Sequence, residues 1–246
     1  MEKIYGINPV KVLLQKGKAG LEKVFIAAGR GGAALQEITS LARQKNVPVE
    51  IKKREDLDKL LGVVNHQGVV AICRPYVYAD IDTVIGNRHK LLNYDLVVIL
   101  DGIVDPQNLG SIIRSAFCFG ANGIIIPADR AAGVTAAVIK ASAGSALQIP
   151  VTKVTNLSRT IDFLKENGFW VFGTEAHTGK DLREVDFNCR VALLLGGEAK
   201  GIRPLLKKKC DTVIGIPMTE DFDSFNVAVA AGIIQYEIFC QRKRDI

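Results

Sequence analysis

Residues 96–127, LVVILDGIVDPQNLGSIIRSAFCFGANGIIIP, decide the fold. Leu96–Leu100 is short, uninterrupted and apolar, the character of a strand covered on both faces, as in a parallel sheet. Asp105-Pro106 turns the chain. Asn108 is placed to cap a helix whose first turn holds Gly110, a residue suited to close backbone approach more than to helix propensity. Along that helix Ser111, Ser115 and Cys118 fall on one stripe with Arg114 beside them, while Ile112, Ile113, Ala116 and Phe117 cover the other side. After Gly120 the chain returns as the apolar run Gly123–Pro127. The unit is therefore strand, polar loop, helix, strand. Ligands of open α/β sheets sit beyond the carboxyl ends of the strands, where the 105–108 loop lies. Spacing alone equally admits a plain βαβ unit with an exposed arginine.

The whole chain bounds what this unit can serve. Its 246 residues suffice for one large or two modest domains, and 48% apolar with 24% charged residues is ordinary globular composition. The start, MEKIYGINPV, has no apolar stretch of signal-peptide type, and no segment approaches the ~20 apolar residues of a membrane span, so the expectation is a cytoplasmic protein with no membrane partner. Five cysteines, Cys73, Cys118, Cys189, Cys210 and Cys240, include no CxxC pair and read as thiols of a reducing compartment. His66, His89 and His177 are dispersed without zinc-type spacing, so no metal is expected. Net charge is +6, and residues 1–80 hold 13 Lys and Arg against 8 Asp and Glu, whereas the remainder holds 19 against 18. The basic excess thus lies in the first third, which suits a part that grips a polyanion joined to a part that does chemistry. A lysine-rich solvated surface is the other reading of the same charges.

In chain order, Tyr5–Lys16 reads as a helix begun at Asn8 with Pro9 in its first position. Glu22–Ala27 reads as a strand, Ala34–Lys45 as a helix, Val49–Ile51 as a strand, Asp56–Leu61 as a short helix and Gly68–Cys73 as a closing strand. The Gly29-Arg30-Gly31-Gly32 turn lacks both Walker and GxGxxG spacing and is read as a flexible turn, the alternative being that Arg30 touches RNA. His66 sits in a turn before the closing strand, a structural position more than a functional one. Residues 1–75 form a small α/β module, 76–93 a linker that is partly helical, and 94–246 the second domain. There Gly133–Gly144 reads as helical, Ala146–Val151 as a strand, Asn156–Asn167 as an amphipathic helix and Phe169–Phe172 as a strand. Thr174–Gly179 lies at a further carboxyl end, and the apolar strand Val191–Leu195 runs straight into GGEAKG, glycines for close backbone approach plus the carboxylate of Glu198. Thr212–Ile216 is the last strand. A helix from Ser224, its cap, to Gln241 is apolar nearly all round, which calls for a cover such as a second copy of the chain.

Three segments together resemble one family. DPQNLGSIIRSAFCFG (105–120), LLLGGEAKGI (193–202) and IGIPMTEDFDSFNVAVAAGIIQYE (214–237) are similar, in order and spacing, to the three motifs of SpoU/TrmH-type RNA ribose 2′-O-methyltransferases of the SPOUT class. YGINPV, EKVFIA and NHQGVVAI resemble the small substrate-binding domain of the bacterial 23S ribosomal RNA guanosine-2′-O-methyltransferase subgroup, so the likeness spans nearly the whole chain. It implies an α/β protein: a C-terminal SPOUT domain with a mostly parallel sheet and a deep trefoil knot, and an N-terminal RNA-binding α/β domain. Pattern alone would give an unknotted doubly wound sheet. The resemblance further implies S-adenosylmethionine as methyl donor, RNA as substrate and a homodimer formed through the C-terminal helix region. Motif by motif it puts Asn108, Arg114, Glu198, Ser224 and Asn226 in catalysis, and Thr174, Gly196, Gly197, Gly201, Ile216, Met218 and Phe225 around the cofactor. Phe225 stands where relatives usually carry Leu. The alternatives are a transfer RNA target, a non-catalytic RNA-binding protein of the same fold and, more remotely, a nucleotide-dependent oxidoreductase, against which the missing GxGxxG counts.

Overall fold

The computed structural model describes all residues except 18–19, 30, 88–94, 177–179, 199, 220–222 and 244–246. Arg30, His89, His177, residues 88–93 of the expected linker and the end of the 174–179 loop therefore lie outside the described residues. The chain forms two compact units. One comprises Met1–Val77 with Val134–Gln148, and the other Tyr78–Gly133 with Ile149–Ile246.

The first unit opens with β1 (Glu2–Tyr5), α1 (Ile7–Lys16), β2 (Leu21–Ala27), α2 (Ala33–Gln44), β3 (Val49–Lys52), α3 (Arg54–Leu61) and β4 (Val69–Cys73). The strands form a mixed sheet in the order β1-β4-β2-β3, with β4 antiparallel to both neighbours and β2 parallel to β3. Leu57 of α3 packs with Ala27 and Val70 against one face. α1 begins at Ile7 after Gly6, one residue before the expected Asn8 start, and no side chain caps it. Residues 134–148 join this unit through contacts with β1 and α1, and a Cβ at Gly144 would lie 3.0 Å from Val12.

The second unit contains α4 (Ile81–Gly86), β5 (Leu96–Asp101), α5 (Pro106–Cys118) and β6 (Gly123–Pro127); then, after α6 (Ala136–Ala141) of the first unit, β7 (Val151–Val154), α7 (Leu157–Glu166) and β8 (Phe169–Thr174). It ends with β9 (Lys180–Asp181), β10 (Arg190–Gly196), α8 (Pro204–Lys207), β11 (Thr212–Gly215) and α9 (Val227–Lys243). Its seven strands are all parallel, in the order β7-β6-β5-β10-β8-β11-β9. Alternation explains why LVVIL and VALLL are apolar throughout. Val97, Ile99, Ala192 and Leu194 meet α4, α7 and α8 on one face, while Val98, Leu100, Leu193 and Leu195 are equally buried on the other. Winding runs from β5 to β6 and β7 on one side, and β10 with β8 stands on the other. The sheet therefore reverses between β5 and β10, the place where such folds form a crevice at the carboxyl ends.

Three local expectations are corrected. α5 is capped by Asp105, whose carboxylate accepts the Gln107 and Asn108 N–H groups, with Pro106 in the first turn; Asn108 is one turn in, its side chain free for other work. α9 starts at Val227 and not Ser224, because Asn226 supplies the cap: its Oδ1 accepts the N–H groups of Ala228 and Val229 at 3.0 and 3.3 Å. Residues 145–147 form a 3-10 turn where a strand was expected, held by the Ser142 and Ser145 hydroxyls, and β7 begins only at Val151.

α9 carries a buried stripe of Ala231, Gln235, Ile238 and Arg242. Both polar atoms of the Gln235 carboxamide are buried without a hydrogen-bond partner among the described residues. Such an amide costs desolvation with no return, so Gln235→Met, which keeps the volume, should raise unfolding stability by roughly 1–3 kcal/mol. Urea melts of the two proteins check this; an unchanged or lower midpoint would mean that the amide is satisfied after all.

Candidate functional site

The site is built where β5 and β10 end side by side, with Gly196 in register with Asp101. Beyond Gly196 the chain folds back on itself. Gly197 and Gly201 form an antiparallel bridge, and the Gly201 N–H donates to the Gly197 carbonyl at 2.8 Å. This return leaves no room for a side chain at Gly196, where a Cβ would lie 2.1 Å from the Gly201 carbonyl carbon. At Gly197 a Cβ would meet the Gly102 carbonyl at 2.7 Å, and Gly201 adopts φ +60. Glycines are thus required by backbone packing at the end of the strand.

The turn presents Glu198 to two helix starts. Asn108 of α5 donates through Nδ2 to Glu198 Oε1 at 3.1 Å, and Asn226, the cap of α9, donates to the same oxygen at 2.6 Å and to Asn108 Oδ1 at 3.1 Å. Asn226 therefore uses both ends of its carboxamide, the oxygen on its own helix and the nitrogen on this triangle. A second tie lies beneath. Buried Asp101 accepts the Arg203 backbone N–H at 2.9 Å and its Nε at 2.8 Å, which fixes the chain after the glycine turn against the end of β5. Asp101 and Arg203 were not singled out from sequence. An acid at the end of an apolar strand is the signal that was available, but its partner lies 102 residues on.

Asn108, Glu198, Gly197 and Gly201 line a cavity of about 960 Å³ over the carboxyl ends of β5, β6, β7 and β10. Gly196, Thr174 and Ile216 stand at the carboxyl edge of the adjacent strands β10, β8 and β11, Thr174 being in register with Ile214. Ile216 and Met218 are half-buried there. Ser224 is exposed and Phe225 is 40% exposed just ahead of Asn226. Arg114 is exposed on α5 away from that cavity, and no hydrogen bond or ion pair engages it among the described residues.

No cluster of His, Cys, Asp or Glu fit to hold a metal occurs among the described residues, nor any helix long and apolar enough to cross a membrane. Burial pushes the Cys73 and Cys210 thiols up to about 11, which keeps them protonated and unreactive at neutral pH. In the first unit His66 is a buried staple. The Gly68 N–H donates to its Nδ1 at 3.0 Å, so Nε2 carries the proton and donates to Asp58 at 2.9 Å. Neighbouring Gln67 accepts from the Ile7 N–H and from Lys140, whose pKa burial lowers.

Comparison with known proteins agrees with this architecture. Residues 95–236 match the SpoU rRNA methylase family, and residues 3–79 match the domain described as RNA 2′-O ribose methyltransferase substrate binding. The chain is 40% identical over 242 residues, covering 98% of itself and 96% of the relative, to YacO of Bacillus subtilis, whose name places it among TrmH family tRNA/rRNA methyltransferases. Among solved structures it superimposes on the SpoU methyltransferase AviRb from Streptomyces viridochromogenes in complex with AdoMet, with TM-score 0.81 and 26% identity over 98% of this chain and 90% of that one. The TrmH/SpoU tRNA modifying enzyme of A. aeolicus matches with TM-score 0.57 and 28% identity over 66% of this chain and 81% of its own. Fold, glycine turn and substrate-binding unit together define an RNA methyltransferase. The chain belongs to the SpoU methylase family.

Asn226 separates two roles that can be tested apart. Asn226→Ser keeps a capping oxygen and loses the amide donors, so stability should stay within ~0.5 kcal/mol of wild type, whereas Asn226→Ala should cost about 1 kcal/mol. Methyl transfer to RNA should fall in both. Equal activity of the serine variant and wild type, measured beside their thermal melts, would show that the triangle with Glu198 has no part in the reaction.

Proposed function

We propose that the protein transfers a methyl group from S-adenosylmethionine to a ribose 2′-hydroxyl of RNA, at a guanosine of 23S ribosomal RNA, as a cytoplasmic homodimer with the C-terminal segment knotted through the sheet. The observation that carries this reading is the meeting of Asn108, Glu198 and Asn226 from three distant motifs beside a glycine turn. The choice of a ribosomal target rests on the resemblance of residues 1–75 to the substrate-binding domain of the ribosomal RNA subgroup; the name of YacO covers tRNA and rRNA alike, and the tRNA modifying enzyme of A. aeolicus matches only two thirds of this chain. A separate basic unit suits a large structured RNA.

The residues fit the donor. Half-buried Ile216 and Met218 offer apolar cover to an adenine, and Gly196, with no space for a Cβ, lets backbone approach closely at the strand end. Thr174, Gly197, Gly201 and Phe225 complete this set of proposed cofactor contacts. When bound, S-adenosylmethionine supplies an electrophilic methyl carbon on a sulfonium, which is released as a neutral thioether as the C–O bond forms. The chain's own residues do the remainder. The guanidinium of Arg114 holds the neighbouring phosphate and stabilises developing negative charge on the 2′-oxygen as its proton passes to solvent water. Ser224 orients the ribose, Asn226 fixes the segment that carries Ser224 through its own hydrogen bonds, and Glu198 keeps Asn108 and Asn226 in place.

A second copy completes the site. α5 and α9 pack together and expose Phe117, Val229, Ile233 and Tyr236, and Arg114 is exposed on the same α5. These apolar side chains suit an isologous interface, which would carry Arg114 of one copy toward the cofactor edge of the other. Arg114→Ala should abolish transfer of tritiated methyl to bulk ribosomal RNA and leave S-adenosylmethionine affinity within about twofold of wild type. Mixing inactive Arg114→Ala with inactive Glu198→Ala should restore part of the activity, since one of the two sites in a mixed dimer is intact. Near-normal turnover by Arg114→Ala would remove that residue from the mechanism, and no recovery on mixing would place both groups in one subunit.

A further inference from the structure

Most charged groups on the wall of the 960 Å³ cavity are already committed. Asp101 is paired with Arg203, Asp105 caps α5, and Glu198 accepts from two carboxamides. Arg130, Lys200 and Asp129 remain, none with a hydrogen bond or ion pair among the described residues; these three sum to one positive charge, while the lining as a whole, four carboxylates against three cations, carries one negative charge.

Arg130 is unusual in its backbone. It sits at φ +57, the left-handed region that crowds the Cβ of any L-residue and that glycine adopts freely. Its loop is not loose, because the Ala132 N–H donates to the Ile103 carbonyl at 2.8 Å and so ties the segment after β6 to the one after β5. A strained arginine on the wall of a cavity marks a position where the side chain has a task that outweighs backbone comfort. The helix dipoles around it add potential of the same sign as these two cations and work against the carboxylates of the wall. α5, α7 and α9 all open onto the cavity at their N-termini, which carry the positive ends of their peptide dipoles. Their first turns are occupied by their own caps, Asp105, Asn156 and Asn226, so they contribute potential, and direct bonds to an anion fall to the two free cations.

We infer that this cavity receives the target nucleotide, and that Arg130 and Lys200 hold the phosphodiester on the side of its ribose away from the phosphate held by Arg114. The inference rests on the RNA methyltransferase reading and deepens it. Arg130 and Lys200 are positioning residues: they fix the backbone of the RNA while the reacting oxygen meets the glycine turn and Arg114.

The test is binding of fragmented bulk ribosomal RNA, without cofactor, over about 0.05 to 0.2 M salt. Arg130→Ala and Lys200→Ala should each weaken binding about five- to tenfold and reduce the salt slope by about one phosphate contact, and Arg130→Lys should restore most of the slope. In methyl transfer Arg130→Ala should raise KM for RNA with little change in kcat or in S-adenosylmethionine affinity. Arg130→Gly relieves the backbone, so it should melt at a higher temperature than wild type yet bind RNA as poorly as Arg130→Ala. Wild-type affinity and slope in both alanine variants would overturn the inference, as would a loss confined to cofactor binding. Weakened RNA binding in variants of a wild type that transfers no methyl would leave the inference standing and defeat the proposed reaction instead.

Discussion

One carboxylate organises this site. Glu198 stands at the tip of a glycine turn and accepts from Asn108, 90 residues earlier, and from Asn226, 28 residues later. Charge-assisted hydrogen bonds to two amides are among the stronger contacts a half-open site can make, and here they join the starts of α5 and α9 to the end of β10. The turn in turn depends on Gly196 and Gly197, because any larger residue would collide with backbone within 3 Å.

The sheet beneath explains why so much of the site is main chain. All seven strands of the second unit are parallel, so the starts of α5, α7 and α9 and the ends of the strands gather on one edge, with the reversal of winding between β5 and β10. Asp101 and Arg203 anchor that edge from below. Upon it stand two surfaces that share the glycine turn: the ends of β10, β8 and β11, which suit an apolar ring and backbone contacts, and the cavity over β5, β6, β7 and β10, mainly apolar in its walls with charged groups at a few points. A methyl donor on the first and an RNA nucleotide in the second would meet near Glu198.

Much of this was legible in the sequence. LVVIL and VALLL read as buried parallel strands because both faces of each had to be apolar, and the structure covers both faces. Asn108, Glu198 and Asn226 were named on motif resemblance, and hydrogen bonds join them. Less accessible were features that depend on distant partners. Asp105 and Asn108 are both good caps, and only the geometry of the turn decides that Asp105 takes the helix and leaves Asn108 for Glu198. Ser224 likewise lost its cap to Asn226. The 145–147 turn mimics a strand in composition, but serine hydroxyls bonding locally to backbone favour the turn. The strain at Arg130 has no sequence signature, since arginine is not a residue that suggests φ above zero.

The glycine turn and the ends of β10, β8 and β11 are the proposed binding place of the methyl donor. Hydrogen–deuterium exchange of the wild-type protein with and without S-adenosylmethionine addresses this directly. Slowed exchange concentrated in residues 196–201, 214–218 and 224–227 is the predicted result. Unchanged exchange there, with slowing confined to 128–130 and 155–158 or absent throughout, would contradict it.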